Sequence, residues 1–390
     1  MKILHVINSC DPKNGGPIEG IKQFNKFYKK YKIQAHILCS DNKNDNWLKD
    51  KRLPKVYAVG PKILNYGYNP KMKAWLIKNI QKYDVIIING IWQYHNYAVW
   101  KVAKFFNVPY FIFLHGMLDP WFNQKYFFKH IKKIIYWKLI QYRILKDSES
   151  VLYTSEDEKK LARKSFVPFN FKEKVIGYGI EGNKYKTLKK NNVFFKKFPK
   201  LRNKKIILFF GRINEKKGVD ILIKSFASVL QKEKGFHLVI VGPYQESYYK
   251  KLNKIIITNN LFDKVTWTGD IYGKLKWHAY SACDVFCLPS HQENFGISVV
   301  EALSSKKFVL ITNKINIYKK IKNSFSGIIT QNNLKSFSNG LKKYLNLNKL
   351  EYKKYSNNAY KCFIKNYKIE PVVINFLKYI KNNLIKNIKI

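Results

Sequence analysis

The 390-residue sequence is short of cysteine and has no long apolar run, and both shortages limit the class of protein. Its five cysteines are too few and too scattered for a disulfide framework. Cys283 and Cys287 have a spacing that a metal pair could use, but they lie in an apolar segment that favours buried strand thiols. No apolar stretch approaches 18 residues, so we expect no membrane-spanning helix. The apolar run at the start, Met1–Ile7, is too short and too interrupted for a signal peptide, and we predict a cytoplasmic protein.

Acidic residues are also scarce, because 25 Asp and Glu oppose 73 Lys and Arg, for a formal net charge of +48. All but five of these basic residues are Lys, and the net charge is nearly equal in residues 1–200 (+25) and 201–390 (+23). A nucleic-acid-binding tail would be lopsided, and zinc spacings and RNP-like aromatic motifs are missing, so we expect no nucleic-acid partner. Drift toward AT-rich codons explains the surplus of Lys, which also remains available for an anionic membrane surface.

The residues that are abundant form an α/β pattern. At 46% hydrophobic, the chain can bury a sizeable core, and short apolar runs alternate with amphipathic stretches, which predicts parallel sheets. Strands are predicted in the first half over Ile3–Ile7, Ala35–Leu38, Val85–Ile88, Tyr110–Leu114 and Val151–Tyr153. The helices predicted between them are Ile18–Lys30, Ala98–Phe106 and Tyr126–Leu145.

The Lys- and Asn-rich segment 184–200 interrupts this pattern and is predicted to be a linker. It separates a Rossmann-like domain over 1–183 from a second one over 201–370, and the two halves predict a cleft. Ligands of such sheets bind at the carboxyl ends of the strands, so the residues after each strand matter most. The elements predicted in the second half are the strands Ile206–Phe210, His237–Val241, Val265–Trp267 and Val285–Leu288 and the helices Val219–Leu230 and Tyr248–Thr258.

The strongest motif runs from Leu288 to Glu301 and contains two carboxylates, Glu293 and Glu301. On one helix they would be about 12 Å apart along the axis, too far for a glycosidase pair but suited to a long ligand held at two places. Phe295, Gly296 and Ile297 precede a helical run whose free N–H groups would bind an anion such as a diphosphate. The alternative is an ordinary helix cap.

A second motif, Gly211 to Gly218, follows directly after a predicted strand. Arg212 offers a bidentate fork and Lys217 a point charge, both suited to phosphate oxygens. One Lys among so many carries little information, but Arg is rare in this chain, so the placement of Arg212 is informative. Together they could stabilise a departing diphosphate without a metal.

Two further segments follow strands of the first domain. Asn14-Gly-Gly-Pro17 is either an ordinary turn or a place where the backbone, at Gly16, approaches a ligand. Trp92, His95, His115 and Asp119 follow parallel strands of the same sheet and are predicted to share one rim, where aromatic faces could stack on sugar rings. In contrast, Gly177-x-Gly-x-x-Gly182 matches a dinucleotide fingerprint but leads into the linker instead of a helix, so we discount it.

Together these motifs resemble the retaining family-4 glycosyltransferases of the GT-B fold, over nearly the whole chain. The resemblance is carried by Gly211-Arg212…Lys217-Gly218, by Glu293-x7-Glu301 and by the Gly15-Gly16-Pro17 loop. Residues 89–121 are similar to a bacterial subgroup that acts on cell-surface polysaccharides. The first motif of that family often begins with His, whereas this chain has Asn89. The segment Ile176-Gly-Tyr-Gly-Ile180, where the chain leaves the first domain, also differs from the commoner Asn-Gly-Val type.

The resemblance implies roles for individual residues. Arg212 and Lys217 would hold the donor diphosphate, Glu301 the ribose and Glu293 the sugar hydroxyls, with the amides of Phe295, Gly296 and Ile297 close to sugar or phosphate. Gly16 would face the phosphates from the other domain, and His115 would contact the transferred sugar. Trp92, His95 and Asp119 are assigned to the acceptor. The last helix, about 371–390, would cross back to the N-terminal domain.

The chemistry implied is front-face displacement with retention, in which the leaving diphosphate accepts the acceptor's proton. Catalysis would rest on His115, Glu293, Arg212 and Lys217, without a cofactor and, since no Asp-x-Asp motif occurs, without a metal. The partners implied are a nucleotide-sugar donor and a surface-glycan acceptor on a lipid such as polyprenyl diphosphate. A same-fold sugar-nucleotide epimerase or phosphorylase is the main alternative.

One predicted helix, Tyr126–Leu145, is both basic and amphipathic. Its cations, Lys129, Lys132, Lys133, Lys138 and Arg143, could rest on an anionic lipid surface. The alternative is a solvated face of a helix that packs on the sheet. The first interpretation would make the protein peripheral on the inner face of the plasma membrane.

Overall fold

The computed structural model describes residues 1–125, 127–185, 193–231 and 233–388, and the chain forms two compact units. Unit 1 consists of Met1–Gly179 together with the segment that begins at Ile369, and unit 2 is Ile180–Lys368. Part of the predicted linker, residues 186–192, lies outside the described residues, as do Tyr126 and the last two residues of the predicted crossover helix. No helix of the described part is long and apolar enough to cross a bilayer.

Unit 1 is built on a seven-stranded parallel sheet with the order β3-β2-β1-β4-β5-β6-β7. The inner strands are buried on both faces, which is why they are continuous apolar runs in the sequence. The strands are β1 (Lys2–Ile7), β2 (Gln34–Cys39), β3 (Lys55–Ala58), β4 (Val85–Asn89), β5 (Tyr110–Phe113), β6 (Ser150–Tyr153) and β7 (Glu173–Val175).

Helices cover this sheet, and the last of them comes from the far end of the chain. Phe376 of that helix packs edge-on against Phe24, with ring centroids 5.2 Å apart, and also contacts Phe113. The predicted return of the C-terminal helix to the first domain is therefore confirmed. The helices of unit 1 are α1 (Gly16–Lys30), α2 (Pro70–Asn79), α3 (Tyr94–Phe105), α4 (Trp121–Lys125), α5 (Phe127–Tyr136), α6 (Tyr142–Lys146), α7 (Glu156–Ala162) and α16 (Ile369–Ile388).

Unit 2 has a six-stranded parallel sheet with the order β10-β9-β8-β11-β12-β13. Its strands are β8 (Lys205–Phe210), β9 (Phe236–Val241), β10 (Val265–Gly269), β11 (Val285–Leu288), β12 (Phe308–Thr312) and β13 (Gly327–Thr330). Its helices are α8 (Val193–Lys197), α9 (Val219–Leu230), α10 (Glu246–Thr258), α11 (Gly273–Ala282), α12 (Ile297–Ser304), α13 (Tyr318–Asn323), α14 (Leu334–Leu345) and α15 (Lys349–Tyr367).

The predicted pair of parallel α/β sheets is confirmed, and each predicted strand is present with bounds within two residues. The predicted helix over Tyr126–Leu145 consists of α5, a π-helical turn over Trp137–Gln141, and α6. The predicted helix Ala98–Phe106 begins four residues earlier, at Tyr94, because the buried polar residues of its first turn do not look apolar in the sequence. Cys283 and Cys287 are both buried, and the Cys283 thiol donates to the Tyr280 carbonyl at 3.2 Å.

Candidate functional site

In unit 2, the loop after β8 turns twice on glycine before α9 begins. Gly211 follows the strand with φ +154°, and a short 3-10 turn, Glu215–Lys217, leads to Gly218 with φ +65°. A Cβ at Gly218 would lie 2.2 Å from the carbonyl oxygen of Pro289, which belongs to the loop after β11. The glycine therefore lets two loops that follow neighbouring strands touch, and so brings the two predicted motifs together.

The contact between these loops places Lys217 against Glu293. The Lys217 ammonium and one Glu293 carboxylate oxygen form an ion pair, and both side chains are mostly buried. Burial pushes the pKa of Glu293 up, but the charges of Lys217, Lys216 and Arg212 and the Lys217 hydrogen bond outweigh it, so the pKa lies below its usual 4.5. Glu293 is therefore ionised at neutral pH, in a pocket of positive charge.

Glu293 is held by its backbone as well as by its side chain. Its N–H donates to the Lys314 carbonyl at 2.9 Å, and its own carbonyl accepts from the Asn316 N–H at 3.0 Å. It precedes α12, which begins after Gly296 at φ +75°. Glu293 and Glu301 are thus not on one continuous helix, and the 12 Å axial separation considered for that case does not apply.

Glu301 lies within α12 and is satisfied by two donors from α11. The Lys276 ammonium donates to Oε1 at 2.6 Å, and the Tyr280 hydroxyl donates to Oε2 at 2.8 Å. Tyr280 is fully buried, and burial together with the Glu301 charge raises the pKa of its hydroxyl well above the usual value, so the hydroxyl keeps its proton. Each of the two site carboxylates thus has a lysine ammonium as its ion-pair partner.

The residues between the two carboxylates shape the start of α12. Phe295 is buried and packs edge-on against Tyr367 at 5.7 Å between ring centroids, whereas Ile297 is half-buried. Arg212, the remaining predicted phosphate contact, is exposed. The structure thus brings Lys217 and Glu293 into direct contact. Arg212 lies at the start of the loop that carries Lys217, directly after Gly211.

In unit 1, α1 begins at Gly16, after Gly15 with φ +91°. The Tyr178 hydroxyl donates to the Gly16 carbonyl at 3.0 Å and so fixes this glycine loop against the end of the sheet. Elsewhere in unit 1, three buried residues have metal-ligating atoms within 4.8 Å of one another: Cys10, Cys39 and Asp41. The Asp41 carboxylate already accepts from the Ser9 hydroxyl and the Cys10 N–H.

His115 follows β5 in a left-handed backbone conformation, φ +52°, and its ring stacks on Phe113 at 5.5 Å. Burial lowers the pKa of His115 to about 4, so the imidazole is neutral at neutral pH. Its Nε2 is 3.2 Å from Oδ1 of Asn89, the residue at which the chain departs from the commoner His. His115 and Asn89 are therefore a hydrogen-bonded pair.

The predicted acceptor residues are more deeply buried than residues on an open rim of the sheet would be. The exposed fraction of His95 is 1%, and Asp119 is also buried. The half-buried Trp92 indole donates to the Met117 carbonyl at 3.3 Å, and the Lys133 ammonium lies 4.8 Å over its ring. Their role in binding an acceptor stays a prediction.

Three residues that support the site were not identified from the sequence. Lys276 and Tyr280 carry no signal in a chain so rich in Lys and Tyr. Glu158, in α7, accepts from the Gly116 N–H at 2.6 Å and from Thr154, and so braces the loop that carries His115. The Ser155-x-x-Glu158 pattern of a helix N-terminus could have marked this residue.

Comparison with known proteins finds a family similarity in unit 2. Residues 190–362 match the family described as glycosyl transferases group 1. The chain is 26% identical to the capsular polysaccharide biosynthesis glycosyltransferase CapM of Staphylococcus aureus, over 44% of this chain and 46% of that one. It is 24% identical to the alpha-monoglucosyldiacylglycerol synthase of Streptococcus pneumoniae, over 78% and 69%. Most curated relatives are matched over less than half of their own length.

Solved structures extend the similarity to the whole chain at the level of fold. Anabaena HepE in complex with UDP and glucose superposes with a TM-score of 0.80 at 19% identity, over 98% of this chain and all of that one. The protein is thus a GT-B fold protein. The similarity to the glycosyl transferases group 1 family covers residues 190–362 of it.

Proposed function

We propose that this protein is a nucleotide-sugar-dependent, retaining glycosyltransferase of family 4. The observation that carries the proposal is the pair of anchored carboxylates in unit 2. Glu293 is paired with Lys217, and Glu301 is held by Lys276 and Tyr280, at the predicted positions of the donor-binding motif. This arrangement lies within the segment that matches the family.

The donor diphosphate would bind through charge. Arg212 and Lys217 are the proposed contacts, and an incoming phosphate would compete with Glu293 for the Lys217 ammonium. Glu293, released from the ion pair, could then accept hydrogen bonds from sugar hydroxyls, and Glu301 from the ribose hydroxyls. The amides of Phe295, Gly296 and Ile297 add donors at the start of α12.

The chemical step proposed is front-face displacement. The bond from the sugar to the diphosphate breaks, the acceptor oxygen bonds to the same face, and the departing diphosphate takes the acceptor's proton. Arg212 and Lys217 stabilise the charge that develops on that diphosphate. In unit 1, Gly16 and His115 remain the proposed contacts for the phosphates and the transferred sugar.

Nucleotide binding tests this proposal. Arg212→Gln and Glu301→Gln are expected to weaken the binding of UDP or of the accepted UDP-sugar about tenfold or more, because each removes a charge-assisted hydrogen bond. Titration calorimetry with UDP and thermal shift with a panel of nucleotide sugars provide the measurement. Lys343→Gln, an exposed Lys of α14, is the matched control and should bind like the wild type. Unchanged affinity in both site variants would exclude this donor site.

The acceptor proposed is a growing cell-surface glycan on a lipid carrier such as polyprenyl diphosphate. The similarities to CapM and to the alpha-monoglucosyldiacylglycerol synthase support this class. Incubation with a labelled nucleotide sugar and a lipid extract should place the label in the lipid phase. Labelled free sugar, sugar phosphate or epimerised nucleotide sugar as the sole product would favour a hydrolase, phosphorylase or epimerase instead.

An anionic membrane surface is the proposed partner of the segment from α5 to α6, which would make the enzyme peripheral on the cytoplasmic face of the plasma membrane. Ile131, Ile135 and Leu139, at i, i+4 and i+8, are 43%, 57% and 62% exposed. Exposed cations flank this apolar stripe, at Lys132, Lys138, Arg143 and Lys146. The combination of an apolar stripe with positive charge suits shallow insertion into an anionic lipid surface.

Co-sedimentation with vesicles separates the two contributions. Ile135→Asp should abolish binding to vesicles that contain anionic lipid, and the double variant Lys132→Glu, Lys138→Glu should reduce it. Ile257→Asp, a similarly exposed isoleucine of α10 in unit 2, is the control. Equal binding of all variants, or equal binding to neutral vesicles, would remove the membrane from the proposal.

A further inference from the structure

Three polar side chains of unit 1 lie on β1, on β4 and just after β5, beside strands that are otherwise largely apolar. In the register of β1, β4 and β5, Ile7 pairs with Asn89, and Asn89 pairs with Phe113. His5 lies two residues before Ile7, and His115 two residues after Phe113. The register therefore brings His5, Asn89 and His115 into one diagonal line across the sheet.

Hydrogen bonds connect this line and extend it into α1. The Tyr28 hydroxyl is 3.0 Å from Nε2 of His5, and Nδ1 of His5 is 3.4 Å from Nδ2 of Asn89. Oδ1 of Asn89 is 3.2 Å from Nε2 of His115. Tyr28, His5 and Asn89 are all buried, so water does not compete for these bonds.

One backbone carbonyl determines which atom donates and which accepts in each hydrogen bond from Tyr28 to His115. Nδ2 of Asn89 lies 3.1 Å from the carbonyl oxygen of Ile87, which only accepts, so the amide nitrogen is on that side. Nδ2 also faces Nδ1 of His5, which must then accept, so His5 carries its proton on Nε2 and donates to Tyr28. Oδ1 of Asn89 faces His115 and requires a donor there.

The imidazoles of His5 and His115 are both neutral, so each carries a single ring proton, on either Nδ1 or Nε2. Burial, with the neighbouring His115 second, lowers the pKa of His5 to about 3, and burial lowers the pKa of His115 to about 4. A neutral imidazole has one donor and one acceptor nitrogen, and the partner of one nitrogen sets the role of the other.

We propose that Asn89 is a positioning residue that holds His115 as the tautomer with its proton on Nε2, and that His5 and Tyr28 lock the Asn89 amide in the required orientation. His115 is then left with Nδ1 as an acceptor. That nitrogen has no hydrogen-bond partner within the residues that the structure describes. A group that binds it must donate a proton.

The consequence for chemistry rests on the proposed function. If His115 contacts the transferred sugar, Nδ1 accepts from a sugar hydroxyl, and His115 does not donate a proton to the leaving group. A histidine in that position of another chain could play either role, but the Asn89 amide restricts this one. The ring itself is held independently of Asn89, because it stacks on Phe113 and its loop is tied to Glu158 through the Gly116 N–H.

Nitrogen NMR of protein labelled with ¹⁵N-histidine tests the tautomer directly. The His115 signals are assigned by their loss in His115→Gln. We expect a protonated Nε2 and an unprotonated Nδ1 from pH 5 to pH 8. A protonated Nδ1, or averaged shifts from two exchanging tautomers, would overturn the proposal. The measurement needs no substrate.

Two variants of Asn89 separate positioning from simple packing. Asn89→Asp keeps an oxygen acceptor toward His115, so Nε2 should stay protonated, and the added negative charge should raise the pH at which His115 takes up a second proton. Asn89→Ala removes the acceptor, so the His115 shifts should move toward those of a mixture of tautomers. Identical His115 shifts in the wild type and Asn89→Ala would mean that Asn89 does not set the tautomer.

Activity provides the second readout. Asn89→Ala should lower kcat about 10- to 100-fold, the range known for loss of the hydrogen-bonding partner of a metal-ligating histidine, with a smaller change in the KM for the donor. His36 and His237 serve as folding references, since they bond to Tyr83 and Thr266 elsewhere in the chain and should keep their shifts. If Asn89→Ala does not fold, the spectra of the wild type and of Asn89→Asp still show which nitrogen of His115 carries the proton. A failure of the proposed function would leave the spectra unchanged and affect only the activity readout.

Discussion

The two carboxylates of unit 2 show how a buried charge is stabilised at the level of single residues. Glu293 relies on cations, with Lys217 in direct contact, while Glu301 shares its two oxygens between an ammonium and a tyrosine hydroxyl. Breaking a buried pair by removing one partner costs more than the pair contributes, because the other charge is left uncompensated. The carboxylates are therefore sensitive probes of the site.

Removal of the Lys217 charge should destabilise unit 2 in a pH-dependent way. The folded-state pKa of Glu293 is depressed, so its stabilising contribution is present above the unfolded-state pKa and is lost as the pH falls through the folded value, below 4.5. In Lys217→Gln, the burial that raises this pKa remains, while the largest opposing charge is gone. We expect a loss of about 1.5–3 kcal/mol at pH 7 that shrinks toward pH 3.5.

Urea unfolding at the two pH values measures this loss. Lys224→Gln removes an exposed lysine of α9, the helix that follows the same loop, and should change the free energy of unfolding by less than about 0.5 kcal/mol. A destabilisation of Lys217→Gln that is equal at pH 7 and pH 3.5 would show that the ionised form of Glu293 is not what Lys217 stabilises.

The predictability of these residues depended on their neighbours in the sequence. Arg212 and Lys217 could be identified because they stand beside glycine in a loop that follows a strand, and Glu293 because it follows another strand. Parallel strands end at a common edge of the sheet. Tyr280 and Lys276 could not, because their importance comes from contacts with other elements. Asn89 was noted only as a departure from the commoner His, and its contacts with His5 and His115 could not be read from the sequence. His95 and Asp119 also follow strands, yet their burial depends on helix packing that periodicity does not describe.

At the scale of elements, the loops after β8 and β11 depend on one glycine. Gly218 combines φ +65° with a position where a Cβ would meet the Pro289 carbonyl oxygen at 2.2 Å. The backbone N–H of His291 also donates to the Lys216 carbonyl at 2.8 Å, so the two loops are already bonded. Any side chain at 218 must separate them.

Gly218→Ala should therefore lower both stability and nucleotide affinity. The left-handed backbone alone costs about 1–2 kcal/mol for a residue with a Cβ, and the collision with Pro289 adds to this. Gly235→Ala is the matched control, since Gly235 has φ +85° but nothing within 4 Å of the added atom. Thermal unfolding and UDP titration give the comparison. If the two variants are equally stable and bind UDP equally, the contact between the loops is unimportant.

The elements themselves were predicted unevenly, for reasons of burial. Inner strands such as β4 and β8 are apolar on both faces and were recognised from the sequence. The edge strands β3 and β7 are short, with the sequences KVYA and EKV, and do not form apolar runs. The apolar strand β12, Phe308–Thr312, was within reach of the same reasoning, whereas the π-helical turn at Trp137–Gln141 has no sequence pattern of its own.

At the scale of the whole molecule, α16 joins a sheet that lies nearly the entire chain away in sequence. Phe376 and its neighbours Val373 and Ile380 are fully buried in unit 1, against Phe24 of α1 and Phe113 of β5. Unit 2, in contrast, is one continuous segment from Ile180 to Lys368. The core of unit 1 is therefore completed by residues that follow unit 2.

Phe376→Ala should destabilise unit 1 by about 3–5 kcal/mol, the cost of removing a fully buried phenylalanine ring. Ile374→Ala is the control on the same helix, because Ile374 is 47% exposed and should cost little. Limited proteolysis, with fragments assigned to units by mass, should show faster cleavage in unit 1 and unchanged cleavage in unit 2. Equal protection of both variants would mean that α16 contributes little to that core.

The position of α16 also sets an order of events on the ribosome. Unit 2 can fold as soon as Lys368 has emerged, but unit 1, although synthesised first, lacks one of its helices until then. At about 5–20 residues per second, the intervening segment takes roughly 10–40 s to synthesise. During that interval the apolar surface around Phe24 and Phe113 lacks the helix that covers it in the folded protein, so the nascent chain exposes more apolar surface than the finished protein does.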